Sequence, residues 1–275
     1  MSKCVADEQG DAVHTSDLVT PEQRVASFDG DPLPGCPPDV DPDVYQLVAA
    51  LGIVTPVART RLPELPVRAP EEVDDVLASS TLLRRLGARA PELIDGPLLY
   101  SAQRWLAAGR PPHLPARETV PDRCHFVGPE DWSSMRASTT PRALGLFTST
   151  ASLEPLGTWR TYALVNGGTL FPRPWRIWQV EPEPETHVLE VTTAADWAAL
   201  VLGHPTPEGS MLYPDWVAIA AAWDAVHLTF RAVAAVQGIC LRTVEGVVAP
   251  PYWGVESTLW LRWSFRAVEL VAVEH

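Results

Sequence analysis

The chain has 275 residues, 46% of them hydrophobic and 20% charged, with a net charge of −13. That length and apolar content suffice for a sizeable core in one large or two small domains. An acidic chain without a basic stripe argues against a nucleic-acid backbone as partner, and no run approaches the roughly 20 apolar residues of a membrane span.

The charge is unevenly placed. Residues 1–43 carry ten acids against Lys3 and Arg24, a net −8 that leaves −5 for the rest. This segment is rich in Gly and Pro and poor in aromatics, so it is expected to be a disordered acidic tail. It also lacks the positive leader and apolar run of a secretory signal, and a soluble cytoplasmic protein is the expectation. Cys4, Cys36, Cys124 and Cys240 are scattered, with no C-x-x-C pair and no His at ligand spacing. Free thiols are expected, and no metal site.

From residue 44 the pattern turns helical. Tyr45, Leu47, Val48 and Leu51 mark a short helix ended by Gly52, and Pro70 opens an amphipathic helix over 71–86 stopped by Gly87. Leu98, Leu99, Trp105 and Leu106 mark a third over 97–108, after which Pro111, Pro112 and Pro115 read as a linker. Ten of the eleven tryptophans lie beyond that linker. The composition therefore divides the chain into a tail (1–43), a small helical segment with its Pro-rich linker (44–117) and an α+β domain (118–275).

Within the last segment, strands are predicted at 124–127, 144–148, 159–164, 175–180, 187–191, 226–230, 259–265 and 267–273. A helix is predicted to begin near Pro129–Trp132, and another follows Thr193, whose Thr-x-x-Asp start resembles a capping box. A further helix is expected over 214–223. The acidic run Glu181–Glu185, with its interleaved prolines, reads as a solvated turn.

Three blocks stand out as carriers of chemistry. The first is Arg123-Cys124-His125-Phe126-Val127-Gly128, a basic strand leading to a helix. The second is Gly145-Leu146-Phe147-Thr148-Ser149-Thr150, an apolar strand ending in three hydroxyls. The third is Glu256 at the mouth of the strand that follows the Pro250-Pro251 and Gly254 turn. A carboxylate held near a ribose stabilises the oxocarbenium-like state formed when the nicotinamide–ribose bond of NAD breaks, and it can bind a ribose hydroxyl. Thr148, Ser149 and Thr150 can orient that ribose. Arg123 or His125 can hold the adenosine ribose or pyrophosphate, and Trp159, Tyr162 or Trp253 can stack on the nicotinamide.

In this order the blocks resemble the mono-ADP-ribosyltransferase superfamily, whose core carries Arg or His on its first strand, Ser/Thr or Tyr on its second and Glu at the start of a late strand. The resemblance covers residues 118–275. It implies an ADP-ribosyltransferase-like split sheet with flanking helices, NAD as substrate, Glu256 as the catalytic carboxylate, and a protein or small-molecule acceptor or water. The family's E-x-E or Q-x-E pair is missing, because Gly254 and Val255 precede Glu256.

Each residue also has a plainer role: Glu256 can end a turn and pair with Arg262 or Arg266, His125 can be a core imidazole, and the aromatics can be core. The rival function is a non-catalytic interaction module on a Trp-rich α+β domain. A glycosidase or nucleosidase would need a second carboxylate facing Glu256, with Glu190 the strand-borne candidate. His227, after Asp224, reads as structural.

Overall fold

The computed structural model describes residues 20–60, 65–109, 120–129, 145–167 and 171–275. The chain order is α1 (Pro21–Phe28), α2 (Pro42–Thr60), β1 (Val67–Arg68), α3 (Pro70–Ala78), α4 (Thr81–Arg89), α5 (Pro91–Ile94), β2 (Gln103–Ala107) and β3 (Leu146–Thr150). There follow α6 (Thr158–Asn166), β4 (Trp175–Pro182), β5 (Val188–Val191), α7 (Ala194–Gly203), β6 (Pro205–Glu208), β7 (Met211–Pro214) and α8 (Trp216–Ala222). The chain ends with β8 (Ala225–Leu228), α9 (Phe230–Val236), β9 (Cys240–Arg242), β10 (Val247–Val248), β11 (Ser257–Trp260) and β12 (Phe265–Glu274). This is a mixed α+β fold with two sheets, ordered β12-β4-β2-β3-β11-β8-β5 and β1-β9-β10-β7-β6.

Alternation along the strands gives the seven-stranded sheet two unlike faces. Phe147, Leu189, Val191, Val226, Leu228 and Leu259 join a large core with α2 to α5 and α7 to α9. Leu146, Val188, Ala225 and Trp260 point the other way and form a smaller cluster with Leu98, Val180 and Phe265. These four lie in one row across the sheet, since Trp260 is opposite both Leu146 and Ala225, and Ala225 opposite Val188. Two residues along each strand the same face carries Thr148, Thr258, His227 and Glu190, again in register. An apolar row is thus followed by a polar one, and the polar row holds the site.

Several expectations are corrected. The tail expected over 1–43 contains α1, capped by Thr20 and Gln23, with Arg24 and Phe28 buried. The Arg24 guanidinium donates to the carbonyls of Ala234 and Gln237 at the end of α9, a favourable place for a cation. The helix expected over 71–86 is two helices, because Ser80 caps α4 and Asp29 accepts from the backbone N–H groups of Thr81 and Leu82. Gly52 does not end the first helix, which runs on to Thr60.

Residues 97–108 are not helical. A 3-10 turn at Tyr100–Ala102 leads into β2, which pairs antiparallel with β3 and β4. The sheet and the larger core therefore both cross the boundary drawn at 111–118. The linker itself, most of the helix expected from Pro129, and residues 1–19 lie outside the described residues.

Residues 159–164 form part of α6 rather than a strand. Trp159, Tyr162 and Ala163 have helical spacing, and Gly157 (φ 83°) turns the chain into the helix. The strand expected over 259–265 stops at Trp260, and Phe265 opens the separate edge strand β12. The strands at β4, β5 and β12 and the capping box of α7 occur as expected.

Candidate active site

Glu256 immediately precedes β11, and none of it is exposed. One carboxylate oxygen accepts from the Thr150 hydroxyl (2.8 Å) and lies 3.1 Å from His227 Nε2. The other accepts from the Thr150 backbone N–H (3.2 Å) and the Thr158 hydroxyl (2.9 Å). Each carboxylate oxygen therefore has two polar neighbours, and the Thr158 hydroxyl also lies 3.1 Å from the Glu256 carbonyl oxygen. His227 Nδ1 lies 2.6 Å from Glu190, whose second oxygen accepts from the Leu98 N–H at 2.9 Å.

Bond polarity can be followed from a group with no choice. The Trp260 indole N–H can only donate, and its acceptor is the Thr148 hydroxyl at 2.8 Å. Thr148 in turn donates to Gln103 Oε1 (2.6 Å), which fixes the orientation of that amide. Gln103 Nε2 donates to the Thr150 hydroxyl (3.1 Å), leaving the Thr150 proton for Glu256. One oxygen of Glu256 thus accepts from the Thr150 hydroxyl and the other from the Thr150 N–H, while the single Thr158 hydroxyl proton lies within reach of both the carboxylate (2.9 Å) and the Glu256 carbonyl (3.1 Å). Glu190, as an anion, takes the Nδ1 proton.

The imidazole has a carboxylate at each nitrogen, an arrangement that favours its charged form. Burial opposes its charge, but the hydrogen bonds and charges of Glu190 and Glu256 outweigh burial and push its pKa up to about 9. The triad carries a net charge of −1. Its members differ in access, since the side chains of Glu256 and His227 are fully buried while that of Glu190 is 29% exposed.

The residues expected in a nucleotide site distribute as follows. Thr148 and Thr150 lie in the polar chain that ends on Glu256. Ser149, between them, faces the other side and accepts from the Trp159 N–H at the start of α6 (3.0 Å). Tyr162 meets Trp159 edge-on at 5.2 Å and packs so closely on Gly254 that a Cβ there would lie 2.3 Å from its ring. Trp253 is buried edge-on against Phe147 at 5.3 Å. These three aromatics thus surround the Glu256 turn as packing.

Arg123 and His125 do not join them. They sit exposed on a 3-10 turn capped by the Asp122 side chain, where a strand was expected. Val127 O accepts from Gly145 N, at the end of β3 remote from Thr150. The intervening five residues correspond to about 17 Å of strand. Arg104 on β2 is the basic residue opposite Ser149, half-buried, and it faces away from Gln103 and Glu256.

Gln103, Thr158, His227 and Glu190 are the members the sequence reading did not assemble. His227 and Glu190 carried a faint signal as polar residues within apolar strands. Their meeting depends on the parallel register of β5 and β8.

The class defined by fold and site is an α+β protein with a Glu–His–Glu triad across the last three strands, β11, β8 and the edge strand β5, of a mixed seven-stranded sheet. No family model, curated protein or solved structure matches this chain. Among the described residues, no helix is long and apolar enough to cross a membrane, and no group of three or more His, Cys, Asp or Glu side chains is placed to hold a metal ion.

Proposed function

We propose that this chain breaks the nicotinamide–ribose bond of NAD and transfers ADP-ribose to water or to an acceptor nucleophile, with Glu256 as the carboxylate that faces the ribose cation. The observation that carries the reading is a Glu256 carboxylate fixed by partners from β3 and β8 beside the Thr148–Thr150 block. A preorganised negative charge stabilises a developing cation without reorganising as the bond breaks. Thr158 is the one donor that comes from a helix end, and in this reading a ribose hydroxyl replaces it on the carboxylate. An ADP-ribosyltransferase-like core and the order of the three sequence blocks belong to the same proposal. Arg123 and His125 have no part at the ribose in it.

A second reading, a non-catalytic interaction module, is favoured by one observation: Glu256 is enclosed and each of its carboxylate oxygens has two polar neighbours.

The test is nicotinamide release from NAD by wild type and Glu256→Gln, with and without cell extract as acceptor source. Near-ultraviolet circular dichroism checks that each protein is folded. The catalytic reading expects release by wild type and at least a hundredfold loss in the folded variant, on the order of losing an electrostatic stabiliser. No release by wild type, or an equal rate in both proteins, rejects it in favour of the second reading.

A further inference from the structure

We propose that His227 and Glu190 are positioning residues for Glu256: His227 holds the carboxylate ionised and oriented, and Glu190 cancels the imidazolium charge so that the triad presents a net negative charge to the ribose. The inference rests on the NAD-cleavage reading and adds a charge-setting relay from the buried acid to a partly exposed one.

The geometry carries it. Parallel pairing of β5 and β8 puts Glu190 opposite His227, and antiparallel pairing of β8 and β11 puts Thr258, two residues beyond Glu256, opposite the same histidine. The imidazole is thus gripped at both nitrogens, at 2.6 and 3.1 Å. Without Glu190, an imidazolium beside Glu256 would neutralise the charge that the oxocarbenium-like state needs. Without His227, the buried Glu256 carboxylate would be held by neutral donors alone, with no opposite charge beside it. The charged groups facing the imidazole are Glu190 from β5 and Glu256 from the segment before β11; burial and then the Glu190 charge raise the pKa of the Tyr100 hydroxyl. The backbone N–H of Leu98 holds the far oxygen of Glu190, which completes its orientation.

Glu190→Gln tests the proposal, because Glu190 is the least buried member and its loss leaves the Glu256–His227 contact in place. Two measurements are made: the pH profile of nicotinamide release, and the titration of His227 followed by NMR of carbon-13-labelled imidazole. In wild type the imidazolium should persist to about pH 9. In Glu190→Gln its midpoint should fall by about one pH unit or more, as on losing an adjacent opposite charge. The alkaline limb of the rate profile should move down with it, kcat should fall about tenfold or more, and Glu190→Asp should recover part of the loss.

An active wild type whose Glu190→Gln variant keeps the same rate profile overturns the relay and leaves NAD cleavage standing. A His227 that titrates near 6.5 in wild type overturns the relay whatever the activity. An inactive wild type whose imidazole still titrates near pH 9 rejects the NAD reading, and with it this role for the triad.

Discussion

Raising the pH from 6.5 to 9 should remove most of a stabilising contribution that resides in one imidazole. His227 is held at about 9 in the folded chain against 6.5 for a free imidazole. By linkage, the difference corresponds to about 3 kcal/mol. A pKa raised by folding means that the folded state binds the proton more tightly. The contribution is therefore fully present below pH 6.5 and is lost as pH rises through about 9. That contribution is a large share of the roughly 5–15 kcal/mol typical of a domain. The assay is urea unfolding followed by tryptophan fluorescence at half-unit steps from pH 6 to 9, for wild type and His227→Gln. Wild type should lose stability steadily across this window, while the variant starts lower and stays nearly level. Its lower start reflects a Glu256 anion left without its charged partner, a loss of about 3–5 kcal/mol. Equal slopes in the two proteins would refute the imidazolium assignment, as would a wild-type stability that rises with pH.

Other perturbations test the frame around the triad. Arg24→Met should lower stability by about 2 kcal/mol in the same urea assay, because the Ala234 and Gln237 carbonyls lose buried donors; no change would mean that burying the guanidinium costs as much as its bonds return. Gly254→Ala sets a Cβ 2.3 Å from the Tyr162 ring and should cost about 1–3 kcal/mol by thermal melting. Gly167→Ala, with no atom of the described residues within 4 Å of the added Cβ, should cost about 1–3 kcal/mol through backbone strain alone, because φ 72° with ψ 170° is a conformation that essentially only glycine adopts.

Local signals carried well where one stretch of chain decides its own state. The Thr193–Asp196 capping box started α7 as expected, and the alternation at Trp175–Val180 became β4. They failed where a distant group intervened. The periodicity over 71–86 gave no hint of Asp29, which caps a new helix after Ser80. Leu98, Leu99, Trp105 and Leu106 fit a helical stripe, yet β2 gains ladder bonds on both sides from β3 and β4, which outweigh local propensity. At Arg123–His125 the Asp122 side chain takes the Cys124 N–H, and a turn results where a strand was expected.

The sequence by itself determined the α+β class, the hydroxyl-tipped strand ending at Thr150 and the place of Glu256 at the mouth of β11. Those features depend on short-range alternation and turn residues, which any window of the chain displays. Tertiary structure alone decided what Glu256 touches. His227 and Thr158 reach it from two other elements, and Glu190 and Gln103 act on it through His227 and Thr150; the strand registers that bring them together join residues as much as 110 positions apart, from Thr148 to Thr258. A one-residue slip in any of those strands would turn its side chain to the opposite face. The charge favoured at His227 follows from that registry, because it sets a carboxylate against each nitrogen of the imidazole.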